Sequence, residues 1–146
     1  MSVGRLLAVD WGERRIGLAL SDETQTLAQP LTTLTRRAGK RFPMARLLEE
    51  VTRHAVVGII VGLPLTESGA EGDAAHAARG LADAIKRRVG DTVDVNLWDE
   101  RMTTARVLAA VREMGGSTRG RKEDVDAMAA ALLLQHYLDA RRGSAL

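Results

Sequence analysis

Hydrophobic residues fall along this chain in three patterns, and each predicts a different element. Leu6 to Val9 is apolar at every position and ends in Asp10; Val56 to Val61 is a second continuous run. Such runs suit strands covered on both faces, at the centre of a sheet. Val93, Val95 and Leu97 alternate with polar neighbours, the period of a half-covered strand. Met44, Leu47, Leu48 and Val51 recur at helical spacing, as do Ala74, Ala78, Leu81, Ala82, Ile85 and Val89.

Turn residues join these pieces. Gly12 to Arg15 makes a turn and Ile16 to Ser21 runs back, so the first two strands form a hairpin. Thr24 to Thr35 reads as a third strand, placed near an edge because it contains Pro30. Pro43 suits the first position of the next helix. Gly62-Leu63-Pro64-Leu65 opens a loop after the second apolar run, and Gly90 closes the helix that follows. Thr103 or Thr104 can cap a helix carrying Val107, Leu108, Val111 and Met114, which Gly115-Gly116 stops. A last helix is predicted from about Glu123 to Arg141. A three-strand antiparallel start followed by strand–helix alternation predicts one α/β domain over residues 1–146: a five-stranded mixed sheet flanked by helices.

Composition narrows the chemistry. The 146 residues include no cysteine, which excludes disulfides, thiolate zinc sites and a cysteine nucleophile. His54, His76 and His136 lack metal-ligand spacing. The longest wholly apolar run, Ala127 to Leu134, falls short of a membrane span, and the amino terminus has no signal-peptide layout. A cytoplasmic protein with no membrane partner is expected. Net charge is only +2, from 21 Lys plus Arg against 19 Asp plus Glu. The basic residues nevertheless cluster at Arg36-Arg37 with Lys40-Arg41, at Lys86-Arg87-Arg88, and at Arg119, Arg121 and Lys122. Clusters of this kind either hold phosphate or form an ordinary solvated surface. Aromatics are scarce, so a sheet that stacks bases is not expected.

Three acids stand at the ends of elements. Asp10 closes the first strand and Glu100 follows the fifth. Asp126 shares a helical face with Ala129, Ala130, Leu133 and Tyr137, so it points inward. A helix start favours negative charge, but that does not explain a carboxylate facing the core. If the strands of Asp10 and Glu100 are parallel, all three acids meet at the sheet edge where open α/β sheets bind ligands. Converging carboxylates repel unless divalent cations sit between them, and oxygen-only ligands select Mg²⁺ or Mn²⁺ over zinc. Two such ions roughly 3.5–4 Å apart can clamp the attacking and leaving oxygens of a phosphodiester. Taken singly, Asp10 also suits a turn cap, Glu100 a pair with Arg101, and Asp126 a helix-start acid. Asp99 is an alternative third ligand.

Four blocks carry a resemblance: VDWGERRIG at 9–17, VGLPLTESG at 61–69, DERMTT at 99–104 and KEDVDAMAA at 122–130. In order and spacing they resemble the YqgF family, also called RuvX, a bacterial branch of the RNase H-like nucleases. The resemblance implies an RNase H-like sheet, with Asp10, Glu100 and Asp126 as catalytic acids binding two Mg²⁺ or Mn²⁺ ions. Asp10 would bridge the pair, and each of the other acids would complete one ion's shell. It implies maturation of the 5′ end of pre-16S ribosomal RNA, or, under the older family label, Holliday junction resolution on branched DNA; a general nuclease on single-stranded DNA in recombination and repair is a further alternative. Arg101, Arg119, Arg121 and Lys122 are candidate phosphate contacts, Arg101 equally suiting packing or a pair with Asp99; Arg14 and Arg15 are weaker candidates, as hairpin arginines that also suit a solvated surface. The Gly62–Gly69 segment either lays backbone amides on the substrate or simply turns the chain. A monomer or a homodimer is compatible. Two rivals remain: a phosphotransferase of the actin–acetate kinase type, which needs two such lobes, and a ribosome assembly factor that binds RNA without cutting.

Overall fold

The computed structural model describes residues 3–12, 14–36, 41–66, 68–100 and 122–145, the last segment with its side chains over 125–142. Five strands form one sheet in the order β3-β2-β1-β4-β5. They are β1 (Leu6–Asp10), β2 (Arg15–Ser21), β3 (Ala28–Thr35), β4 (Gly58–Leu63) and β5 (Asp94–Asp99). Three α-helices accompany them among the described residues: α1 (Met44–Arg53), α2 (Asp73–Val89) and α3 (Lys122–Ala145). β1 pairs antiparallel with β2, and β2 with β3; β1 pairs parallel with β4, and β4 with β5. The expected antiparallel start and parallel continuation are both present.

Alternation along the strands sorts side chains onto two faces. Leu7, Val9, Ile16, Leu18, Ile59 and Val61 join Leu47 of α1 and Ala78, Leu81 and Ile85 of α2 in one core. Leu6, Ala8, Ala19 and Ile60 face the other way and pack against Ala130, Leu134, Tyr137 and Leu138 of α3. The inward face expected of α3 is present, since Ala129, Ala130, Leu133 and Tyr137 are all buried. Gln135 ties α3 to the β3 edge, accepting from the Ala28 amide at 2.9 Å and donating to the Thr26 carbonyl at 3.0 Å.

Several boundaries differ from the sequence reading. β3 begins at Ala28, because Asp22 folds 22–27 into a turn by accepting from the amides of Thr26 and Leu27. Those bonds hold the Asp22 carboxyl below its usual range. Pro43 caps α1 from outside rather than occupying its first position. In α2 the inner face uses Ala75 rather than Ala74. The consequential shift is in β4, which runs to Leu63 instead of stopping at Val61. Gly62 and Leu63 pair with Trp98 and Asp99, so Gly62 lies in the sheet and not in a loop. The helix expected around 103–114 lies outside the described residues.

Candidate active site

The site builds outward from Asp10, whose residue is only 8 % exposed. It ends β1 on the same face as Leu6 and Ala8, the face covered by α3. Its neighbour in β2 is Gly17. On the other side, Val9 pairs with Val61, and one further step of that parallel register sets Asp10 beside Gly62. The buried acid therefore stands between two glycines.

Both glycines are occupied spaces. A Cβ at Gly17 would overlap the main-chain carbonyl of Asp126, so the start of α3 is seated directly on β2. A Cβ at Gly62 would overlap the Glu100 carboxylate, which lies across that strand. Asp126 and Glu100 thus approach Asp10 from its two flanks, through gaps that any larger residue would close. Parallel pairing of β1, β4 and β5 puts all of this at the carboxyl ends of those strands. Asp99 pairs with Leu63, whose side chain belongs to the α1–α2 core, so alternation directs Asp99 to the face away from Asp10.

The carboxylates are not gathered into a ready-made ligand set. Among the described residues no three His, Asp or Glu groups stand close enough to hold an ion as placed. Asp126 instead accepts a hydrogen bond from Arg15 Nε on Oδ2 at 2.6 Å, with the two side chains 38 % and 21 % exposed. The donor chemistry still fits a hard cation, because the acids are oxygen-only donors and the absent side chain at Gly62 leaves room for the Glu100 carboxylate across the strand beside Asp10.

The basic candidates fare differently. Arg15 reaches the site, whereas the side chain of Arg14 is in an exposed residue whose carbonyl accepts from the Arg36 amide at 2.7 Å. Period-two parity puts Arg15 on the face of Gly17, and the register that pairs Gly17 with Asp10 shows that this is the face of the acids. Arg101, Arg119 and Arg121 lie outside the described residues, as does the side chain of Lys122. Lys86, Arg87 and Arg88 end α2, where cations suit the helix carboxyl terminus. Arg36 lies 4.7 Å above the Trp11 ring, which stacks on Phe42 at 5.8 Å, next to Asp10 but on the opposite sheet face.

Comparison with known proteins adds a lineage to this geometry. The family model RuvX, described as Holliday junction resolvase, matches residues 4–140. This chain belongs to the RuvX family. A relative from Koribacter versatilis, named "Putative pre-16S rRNA nuclease", is 40% identical over 138 residues, covering 94% of this chain and 88% of its own. One of the same name from Anaeromyxobacter dehalogenans is 41% identical over 137 residues, covering 94% and 98%. Among solved structures, Thermus thermophilus RuvC in complex with its Holliday junction substrate is similar at a TM-score of 0.57 and 20% identity, covering 97% of each chain. At that identity the likeness concerns the fold, and it places this RuvX chain among RNase H-like sheets.

Proposed function

We propose that this RuvX chain is a divalent-metal-dependent nuclease that trims the 5′ end of pre-16S ribosomal RNA. The observation that carries the reading is Asp10, buried at the sheet edge between two glycines, with Asp126 and Glu100 brought in over them. Approach of a second carboxylate to a buried one is unfavourable unless positive charge or hydrogen bonds compensate it, and a shared divalent cation supplies that charge. Asp10, Glu100 and Asp126 would hold the ions. When bound, two Mg²⁺ or Mn²⁺ ions supply Lewis-acid charge to the attacking and departing oxygens of an in-line phosphodiester hydrolysis. The protein's own work is to fix the three carboxylates on rigid elements and to exclude apolar packing from between them.

The RNA reading is favoured over junction resolution because the relatives near 40% identity carry the ribosomal name along nearly the whole chain. RuvC resembles this chain in fold alone. One domain over 1–146, acting in the cytoplasm on nucleic acid, completes the proposal; no helix among the described residues is long and apolar enough to cross a membrane.

The test compares cleavage of a 5′-extended 16S precursor, an unstructured single strand and a mobile four-way junction, in Mn²⁺, by the parent and Asp10→Asn. The parent should cut the precursor preferentially. Asp10→Asn should lose at least about a thousandfold in rate, on the order of 4 kcal/mol of transition-state stabilisation, while still binding RNA. Equal rates for the two proteins would refute the site: the cutting would owe nothing to Asp10 and would belong to a contaminating nuclease.

A further inference from the structure

Arg15 sets a guanidinium directly against one of the proposed metal ligands. It opens β2 on the face of Gly17, so strand geometry aims it at the start of α3. Asp126 is then held at two points: its main chain rests on Gly17, and its carboxylate accepts from Arg15 Nε at 2.6 Å. An arginine keeps its charge at any working pH, so this contact is a permanent positive charge beside the acids. The pair is also partly open to water, at 38 % and 21 % side-chain exposure. Half-solvated ion pairs hold weakly and exchange readily, unlike fully buried ones.

We infer that Arg15 is an exchangeable counter-ion and positioning residue for the metal site. Without divalent ions it neutralises Asp126 and turns that carboxylate toward the hairpin. On ion binding the carboxylate turns to the set formed with Asp10 and Glu100, and the guanidinium is released. The arrangement explains why three acids at one sheet edge do not already stand as a ligand cluster. The inference rests on the nuclease reading, and it has a consequence that a merely structural ion pair lacks: Arg15 competes with the metal.

Mn²⁺ binding to the full chain, measured by titration calorimetry, tests this with Arg15→Gln, Arg15→Lys and Asp10→Asn beside the parent. Arg15→Gln should bind Mn²⁺ about three- to tenfold more tightly, since a competing charge next to the ligand is gone. Arg15→Lys keeps the charge and should stay within about twofold of the parent. A structural pair predicts the reverse sign, because loss of Arg15 would loosen Asp126 and weaken binding. Unchanged or weaker affinity in Arg15→Gln, with an Asp10-dependent parent site intact, overturns the counter-ion role alone. A parent with no Asp10-dependent Mn²⁺ binding overturns the metal reading as well. The parent alone gives a second readout if the Gln variant fails to fold: the Arg15 Nε–H resonance should lose its hydrogen-bonded shift as Mg²⁺ saturates. A resonance that stays put at saturation overturns the inference.

Discussion

The two faces of the sheet are built from different residues. Toward α1 and α2 the strands present Leu7, Val9, Ile16, Leu18, Leu20, Ile59, Val61 and Leu63, all branched aliphatics and all buried. Toward α3 the same strands present Leu6, Ala8 and Asp10, then Arg15, Gly17 and Ala19, then Gly58, Ile60 and Gly62. The first face supplies packing, at about 1.5–3 kcal/mol for each large side chain removed from water. The second is thinned toward the carboxyl ends of β1 and β4, and α3 answers with Ala127, Ala129 and Ala130. Small residues on both partners let a helix main chain touch a strand. Leu6, Ile60, Leu134 and Leu138 still pack the rest of the α3 face, and charge is admitted only at its thinned end.

Substitutions that fill the thinned face should have the largest effect. Gly17→Ala places a methyl on the Asp126 carbonyl, which is main chain and cannot swing aside. We expect a loss of about 3 kcal/mol in urea unfolding, the upper end for overpacking, together with loss of Mn²⁺-dependent cleavage. Two further variants separate the faces. Ile59→Ala removes a fully buried side chain from the aliphatic core and should cost about 3 kcal/mol while leaving Mn²⁺ affinity unchanged. Gly62→Ala meets only the end of the flexible Glu100 side chain, so stability should fall by less than about 1 kcal/mol. Displacing that carboxylate should nonetheless slow cleavage on the order of a hundredfold. If Ile59→Ala weakened metal binding as much as Gly62→Ala slowed cleavage, the division of labour between the faces would be wrong.

Much of this division was legible from the pattern of side chains, and what escaped was carried by residues without one. The apolar runs at 6–9 and 56–61 located the central parallel pair β1–β4, and Pro30 placed β3 at an edge, where it sits opposite Ala19 beside a bulge. The inward parity of Asp126 on α3 was readable from its spacing to Ala129, Leu133 and Tyr137. Gly62, by contrast, reads as a loop residue, since a continuous apolar run fixes a strand but not where its pairing ends. The chain turns at Ala55 (φ 50°) and pairing starts at Gly58, which carries Gly62 into the sheet. Gly17 gave no hydropathy signal for the helix seated on it. Arg14 and Arg15 could be told apart only once the hairpin register was known. Glu50 escaped for another reason: it looks like a solvated helix acid, yet it is 2% exposed and held by Arg46, Arg53 and His54. Such a carboxylate is tolerated in the core only because its partners are supplied by its own helix.

The smallest expected effect concerns the covering helix itself. Tyr137 of α3 is 8% exposed and stands edge-on to Trp98 at 5.1 Å, with Arg141 lying 5.5 Å from its ring. Burial raises its phenol above the ordinary 10.0, and Arg141 offsets this only in part. Below the unfolded value both states hold the proton, and the folded protein has its full stability. As pH rises past it the unfolded chain ionises first, so stability is lost until the folded phenol titrates too. Tyr137→Phe removes that linkage, and its unfolding free energy should decline less steeply than the parent's between about pH 9.5 and 11. The strand residues of the aliphatic face have no group that titrates in this range, so Ile59→Ala should keep the parent's alkaline slope at a lower overall stability. Identical slopes for Tyr137→Phe and the parent would mean that the phenol is no more buried than in the unfolded chain, and that α3 covers its face less tightly than Ala129, Leu133 and Leu138 indicate.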